Sequence, residues 1–528
     1  MSKRCYVLFL IPILCACQST NRSLDFIPYQ YEENLIETFK EEKGDIYYKN
    51  DYVTPLTINT PAGVSIRTGV NEIKELNDIT TGFDDNAYSL RSANLDNLNG
   101  VIEQSLLVVP VYFKDNEMAN NEDLKLKKKT LIENAFFGDE NTTNYQSVSS
   151  YYNRSSYGHL RIKGEVLDWY EINQTSSSAI EEGKKSPENY SDKIVKDIVD
   201  NLSDEIFNKY SNNNSGILDA IYIIYDYPYQ NNKLNGEDTL FWAYTYYCKS
   251  SGKISAYSWS SFDFMGENVL KDYQVDATTY IHEVGHLFGL LDYYNKGNYS
   301  TYQPLGFMDM MDYNLGDHSP FSKYLLNWTT PYVLDMKDKS SGEIEIRDFS
   351  STGDFILIPT SNYNKTAYDH YLLLSFFTPK NLNNLNNFPS YEYSLNDKLK
   401  GIFTYPNQYG VLLYEVDARL GYYKTGVIRN YTPVCYIDEN INPGEYLINF
   451  YHHNELDKAS DEPIYRLLES SGQNTFIDGN CASNNTFFKY GDTFGVNTFL
   501  ELSRQFGVTF KVSRLTTKSA KISFTSIS

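Results

Sequence analysis

Tyr280-Ile-His282-Glu283-Val-Gly-His286-Leu-Phe-Gly289-Leu-Leu-Asp292 is the stretch on which the reading of this 528-residue chain turns. In a helix, residues four apart lie on one face, about 6 Å apart along the axis. His282 and His286 can therefore grip one ion, and Glu283, one step round, can take a proton from a water activated by that ion without being a ligand. Ala277, Ile281, Val284, Phe288 and Leu291 fall at three-and-four spacing and predict the buried stripe of this helix. Asp276 is the expected N-cap. Gly289 stands where the helix must stop, and a glycine there takes the left-handed turn that brings Asp292 back as a third ligand. Two imidazoles and a carboxylate with one open position suit zinc. With seven histidines in the chain, the bare HExxH pattern arises by accident in roughly one such chain in a hundred. Gly289 and Asp292 tighten it.

A methionine-rich turn follows, Gly306-Phe-Met308-Asp309-Met310-Met311-Asp312-Tyr313. It resembles the Met-turn of the metzincin clan, in which a methionine packs beneath the metal without ligating it. In some members a tyrosine two residues later steadies the oxyanion. Met311 and Tyr313 match that spacing, while Met308 and Met310 read equally well as adaptable core packing.

Other segments narrow the resemblance. Ser147 to Tyr170, containing Ser155-Ser156-Tyr157-Gly158, looks like the segment preceding the active helix in the immune inhibitor A family of secreted bacterial metallopeptidases. Leu106 to Asp115 and Ile217 to Tyr225 look like two of its strands, Phe321 to Trp328 like its closing helix, and Tyr409 to Leu420 like a strand of its downstream module. The likeness covers roughly residues 105 to 420. It departs at Leu291, where the family usually has proline, and at Tyr371 to Phe377, which lacks the glutamate and arginine often found there.

The amino terminus speaks to location. Lys3 and Arg4 precede an apolar run from Tyr6 to Ala16, too short to span a bilayer as a permanent helix but right for a signal peptide. It ends in Leu14-Cys15-Ala16-Cys17, which resembles a bacterial lipobox with Cys17 as the lipidated residue. An ordinary signal peptide cut nearby is the alternative. A diacylated Cys17 would anchor the chain stably.

Lys+Arg 46 against Asp+Glu 68 gives a net charge of −22, which disfavours nucleic-acid binding and favours basic or neutral protein substrates. Ca2+ is a second candidate cation, for loops such as Asp84-Asp85-Asn86, although scattered acids are usually solvated turns. Of six cysteines, Cys248, Cys435 and Cys481 remain beyond Cys17. Cys435 with Cys481 is the natural pair, and free buried thiols are the alternative. His159, His370 and His452-His453 read as packed or exposed side chains. His318, seven residues after Met311, could line the cleft or compete with Asp292 for the metal.

These signals predict a signal peptide over 1–16 and a tether or pro-segment over 17–104. An α/β metzincin-like zinc peptidase catalytic domain follows over 105–335, with helical stretches such as Asp192 to Tyr210. An all-β module, a sandwich, is expected over 336–528, from runs such as Gly342 to Arg347 and Gly507 to Ser513. Some of its strands could instead complete the catalytic domain. The expectation is a zinc-dependent endopeptidase on the extracellular face of the bacterial membrane, released if proteolysis cuts the N-terminal segment. The alternative is a non-catalytic surface lipoprotein, an adhesin or binding module that retains the fold.

Overall fold

The computed structural model describes residues 24–32, 35, 46–50, 56–59, 65–68, 100–211, 217–229, 240–248, 250–295, 301–361, 363, 365, 367, 369–385, 391–395, 399–424, 432–433, 446–450, 454 and 462–527. The signal peptide, Cys17, Asp84 to Asn86, Cys435 and His452-His453 lie outside these residues.

The first layer system begins with strand β1 (Ile102–Phe113), helices α1 (Glu122–Phe137) and α2 (Val148–Ser155), and strands β2 (Leu160–Val166) and β3 (Tyr170–Ile172). Helices α3 (Pro187–Asp200) and α4 (Asp204–Tyr210) and strands β4 (Leu218–Tyr225), β5 (Tyr244–Tyr247) and β6 (Ile254–Ser261) follow. The sheet runs β2-β1-β4-β6-β5, with β3 extending the β2 side of β1. All pairs are parallel except β5 with β6, so β5 is an antiparallel edge strand.

Successive side chains of a strand point to opposite faces. Leu106, Val108, Ala220, Tyr222 and Ile224 therefore join one core with Leu131, Phe136, Tyr151 and Tyr152 of α1 and α2. Leu107, Val109, Val111, Ile221, Ile223 and Tyr225 meet Tyr190, Ile194, Val195 and Tyr210 of α3 and α4 on the other face. Burial on both faces explains why β1 and β4 read as nearly continuous apolar runs. The expected helical stretch Asp192 to Tyr210 is two helices, because Ser203 caps a new one, accepting a hydrogen bond from the Ile206 N–H at 3.3 Å.

Beyond the motif helix α5 (Thr278–Leu287) come the short helices α6 (Met310–Tyr313) and α7 (Pro320–Leu325). Among the later strands are β7 (Tyr332–Leu334), β8 (Ser341–Arg347), β9 (Phe355–Pro359), β10 (His370–Phe377), β11 (Gly410–Asp417), β12 (Tyr465–Leu468), β13 (Thr493–Phe494), β14 (Val508–Leu515) and β15 (Ser519–Ser526). They build two sheets. One runs from the strand Tyr47–Lys49 through β7, β9, β10 and β11 to β12, and the other runs β8-β15-β14-β13.

The two-residue period of these strands splits the larger sheet between two cores. Ile356, Ile358, Leu372, Leu374, Phe376, Val411 and Leu413 pack with Ile344, Ile346, Phe510, Val512, Ile522 and Phe524 of the smaller sheet. Their neighbours Phe355, Leu357, Tyr371, Leu373, Leu412, Tyr414 and Tyr465 belong instead to the core that holds Ile281, Val284 and Phe288 of α5. The hydrophobic core is thus continuous across residue 335. The whole is a mixed α/β structure with several sheets.

Gly164 lies opposite Leu106 in the β1–β2 register. A Cβ on Gly164 would fall 1.9 Å from the Leu106 carbonyl oxygen and 2.6 Å from Phe137 Cζ. Gly164→Ala should cost about 2–3 kcal/mol of stability by overpacking, read as a lower denaturant midpoint. An unchanged midpoint would contradict this pairing.

Candidate metal centre

Helix α5 is buried along nearly its whole length; of the expected stripe Ala277, Ile281, Val284 and Phe288 lie in the core, whereas Leu291 falls beyond the helix end and is half-buried. Its N-cap is Ala277, one residue later than expected. Asp276 still serves the helix start, its Oδ1 accepting from the Thr278 N–H at 2.9 Å and the Thr278 hydroxyl at 2.7 Å. The C-terminus ends as predicted on Gly289, at φ 88°. The Leu290 N–H reaches the Gly285 carbonyl at 3.1 Å and the Gly289 N–H reaches the His286 carbonyl at 2.8 Å. That pair of bonds is a Schellman motif, which reverses the chain direction at a helix end.

The reversal carries Asp292 over the helix face. Its Oδ1 lies 2.9 Å from His282 Nε2 and 3.3 Å from His286 Nε2. The opposite ring nitrogens are held by backbone carbonyls: His282 Nδ1 is 3.0 Å from the Met310 oxygen and His286 Nδ1 is 2.7 Å from the Leu290 oxygen. A proton on each Nδ1 leaves both Nε2 lone pairs aimed at the same point as the carboxylate. Two nitrogens and an oxygen converging there, each imidazole braced from behind, are the donor set and outer support that zinc takes. His282, Glu283 and His286 also form a group of potential ligand atoms within 4.8 Å of one another.

Glu283 is 5 % exposed, and its carboxylate Oε2 accepts from the Thr245 hydroxyl at 2.9 Å. Thr245 is in turn 2.8 Å from Ser258 Oγ on β6. Thr245 Oγ1 also lies 3.0 Å from the Glu283 backbone carbonyl, so its one proton serves one of these two Glu283 oxygens at a time. Burial raises the Glu283 carboxyl above the usual range, while His286 and His282 pull it part of the way back. Burial depresses His286, but Asp292 more than offsets this and the imidazole is pushed up to about 9. These shifts belong to the metal-free side chains, since a bound cation requires neutral imidazoles.

Beneath the helix, Met311 is fully buried against Gly285. A Cβ at position 285 would lie 2.5 Å from Met311 Sδ and 3.2 Å from the Tyr152 hydroxyl. Asp309 caps α6, its Oδ1 accepting from the Met311 N–H at 2.7 Å, and its Oδ2 accepts from the Ser319 N–H at 2.7 Å. The Met-turn therefore touches the site twice, through the Met310 carbonyl and the Met311 side chain.

Residues 110–227 match the model described as immune inhibitor A peptidase M6, catalytic domain. This stretch is similar to the immune inhibitor A peptidase catalytic domain. A search of curated proteins returns no match. The peptidase M6 segment runs from within β1 to just past β4 and ends before α5 begins, so the motif helix stands as a separate observation. Tyr152, inside the segment, ties the two together by donating its hydroxyl to the Ile281 carbonyl at 2.7 Å.

The remaining candidates fall in different places. Tyr313 is the last residue of α6, its ring stacked on Phe307 at 4.0 Å and edge-on to Phe403. His318 does not join the ligand set; it is buried among Tyr151, Tyr152 and Trp328, with Nδ1 3.8 Å from Asp309 Oδ1 behind the Met-turn. Cys248 is a buried thiol whose titration burial pushes up to about 12. Sequence reasoning missed three supporting residues. Thr245 reaches Glu283 from the edge strand, Gly285 makes room for Met311, and Asn454 donates to the Tyr293 carbonyl at 2.6 Å, next to Asp292. Gly285 alone had a readable position, between two candidate ligands.

Gly285→Ala should force Met311 away from the helix. The expected result is a loss of about 1–3 kcal/mol in stability with roughly tenfold weaker zinc binding, measured by competition with a chromogenic chelator. Unchanged binding would show that Met311 does not brace the site.

Proposed function

We propose that this chain is a zinc-dependent endopeptidase that cleaves proteins or peptides outside the cell. The observation that carries the reading is the convergence of His282 Nε2, His286 Nε2 and Asp292 Oδ1 beside the buried carboxylate of Glu283. The peptidase M6 match over residues 110–227 supports the reaction class. His282, His286 and Asp292 would hold the ion, a donor set of the kind catalytic zinc takes. Zinc supplies, when bound, the Lewis acidity that makes water a nucleophile near neutral pH.

The chain's own residues then do the proton work. Glu283 takes a proton from the attacking water and returns it to the leaving amine. Thr245 holds one Glu283 oxygen in place, so the other faces the reacting atoms. Tyr313 is assigned to the oxyanion by its spacing from Met311, after a turn of its side chain away from Phe307. The net charge of −22 favours neutral or basic substrates.

The apolar run Tyr6 to Ala16 followed by Leu14-Cys15-Ala16-Cys17 supports a lipid-anchored position on the outer face of the membrane. In sheet terms the catalytic part is read as metzincin-like, with its antiparallel edge strand β5 beside the motif helix, and the two C-terminal sheets as a sandwich. Calcium remains a proposal without an assigned loop.

The test is metal analysis together with casein cleavage by residues 18–528, comparing wild type with Glu283→Ala. One zinc per chain in both, with chelator-sensitive cleavage by wild type alone, is the expected outcome. Zinc without cleavage by wild type would point to latency or narrow specificity. Neither zinc nor cleavage would favour the non-catalytic surface lipoprotein.

A further inference from the structure

Two stretches that precede the peptidase segment in the chain are built into the folded body. Residues 24–32 cross the ends of α1 and α2. The Tyr29 N–H donates to the Phe137 carbonyl at 2.9 Å, and the Asp139 N–H donates to the Ile27 carbonyl at 2.7 Å. Tyr29 is buried, and its hydroxyl reaches Asn153 Oδ1 at 3.1 Å; the Glu32 N–H reaches the same oxygen at 3.0 Å. Glu32 also pairs with Arg154 at 3.0 Å. Asn153 is wholly buried on α2. Among the described residues both donors to its carboxamide oxygen come from the arm, so removing the arm takes both away.

Residues 46–50 make the second contact. Tyr47–Lys49 adds an antiparallel strand to the exposed side of β7, pairing Tyr47 with Leu334, Tyr48 with Val333 and Lys49 with Tyr332. Two flanking bonds extend it, from the Asp335 N–H to the Ile46 carbonyl at 2.7 Å and from the Asn50 N–H to the Pro331 carbonyl at 3.0 Å. Ile46 is 2 % exposed and lies over Gly342, where a Cβ would meet Ile46 Cγ2 at 2.5 Å. Asn50 Nδ2 bonds the Tyr324 hydroxyl and the Lys365 carbonyl. Main-chain pairing at a sheet edge with a side chain in a fitted pocket is how separate peptides bind such edges.

We infer that residues 24–50 are a two-point arm held to the body by non-covalent contacts strong enough to survive a break in the chain. A cut anywhere between residues 51 and 99 then yields a two-piece complex instead of a released body. Residues 33–45 link the two contacts, so losing one leaves the other holding the arm close, and the pair binds far more tightly than either alone. If Cys17 carries lipid, as proposed above, cleavage after residue 50 does not free the peptidase from the membrane. The order of segments alone had suggested release.

The test replaces residues 80–85 with the recognition sequence of a site-specific protease. The full chain is cut and examined by native mass spectrometry and gel filtration, which read association whether or not the protein is a peptidase. The expected result is one particle holding both fragments in equal number. A double variant of the arm, Tyr29→Ala with Tyr48→Pro, should come apart once cut. If that variant does not fold, Tyr29→Ala with Asn50→Ala replaces it, and its arm should leave the cut protein roughly tenfold faster than the wild-type arm. Separation of the wild-type fragments, including precipitation of the body alone, would overturn the inference. So would equal retention of the wild-type and variant arms.

Discussion

One carboxylate oxygen, Asp292 Oδ1, lies within 3.3 Å of two imidazole nitrogens that project from a single helix. Holding three such groups together has an electrostatic cost, because each is buried and would otherwise be solvated by water. The surrounding structure offsets that cost with fixed contacts. Carbonyls of Met310 and Leu290 orient the two rings, the Schellman turn at Gly289 aims the chain, and Asn454 fastens the backbone beside the carboxylate. A cation bound there, as proposed above, would add to that support.

The constraint also accounts for the way the sheets share a core. Met311 can sit under Gly285 only if α6 is held, and α6 is held by Asp309, whose second oxygen is bonded to the N–H of Ser319 at the start of α7. Helix α7 lies against β10, where Tyr371 and Leu373 face the same core as the motif helix. The large C-terminal sheet is therefore part of the support of the site and not an appendage to it. Its other face is free to pack on the smaller sheet because neighbouring residues of a strand point in opposite directions.

How much of this was legible in sequence depends on the range of the interaction. The helix, its glycine stop and the return of Asp292 are encoded within thirteen consecutive positions, and the local geometry of those residues sufficed to read them. The spacing also pointed to Met311 near this helix, and its side chain lies against Gly285. Thr245 and Asn454 were not legible, because 38 and 161 residues separate them from their partners and nothing in their neighbourhoods marks them. The break between α3 and α4 was missed because apolar periodicity continues across Asn201 to Ser203 while a serine cap restarts the helix. The N-terminal segment read as a polar tether for the same reason of range: the strand Tyr47–Lys49 finds its partner in β7, nearly three hundred residues away.

The most direct test of the account is X-ray absorption at the zinc edge on the full-length protein, with Asp292→Ala alongside. The account predicts a four-coordinate zinc with light-atom ligands at about 2.0–2.1 Å, including two imidazoles and no sulfur. One oxygen scatterer should be lost or replaced by water in Asp292→Ala. A zinc bound through sulfur, or a spectrum and affinity unchanged by removal of the Asp292 carboxylate, would contradict it.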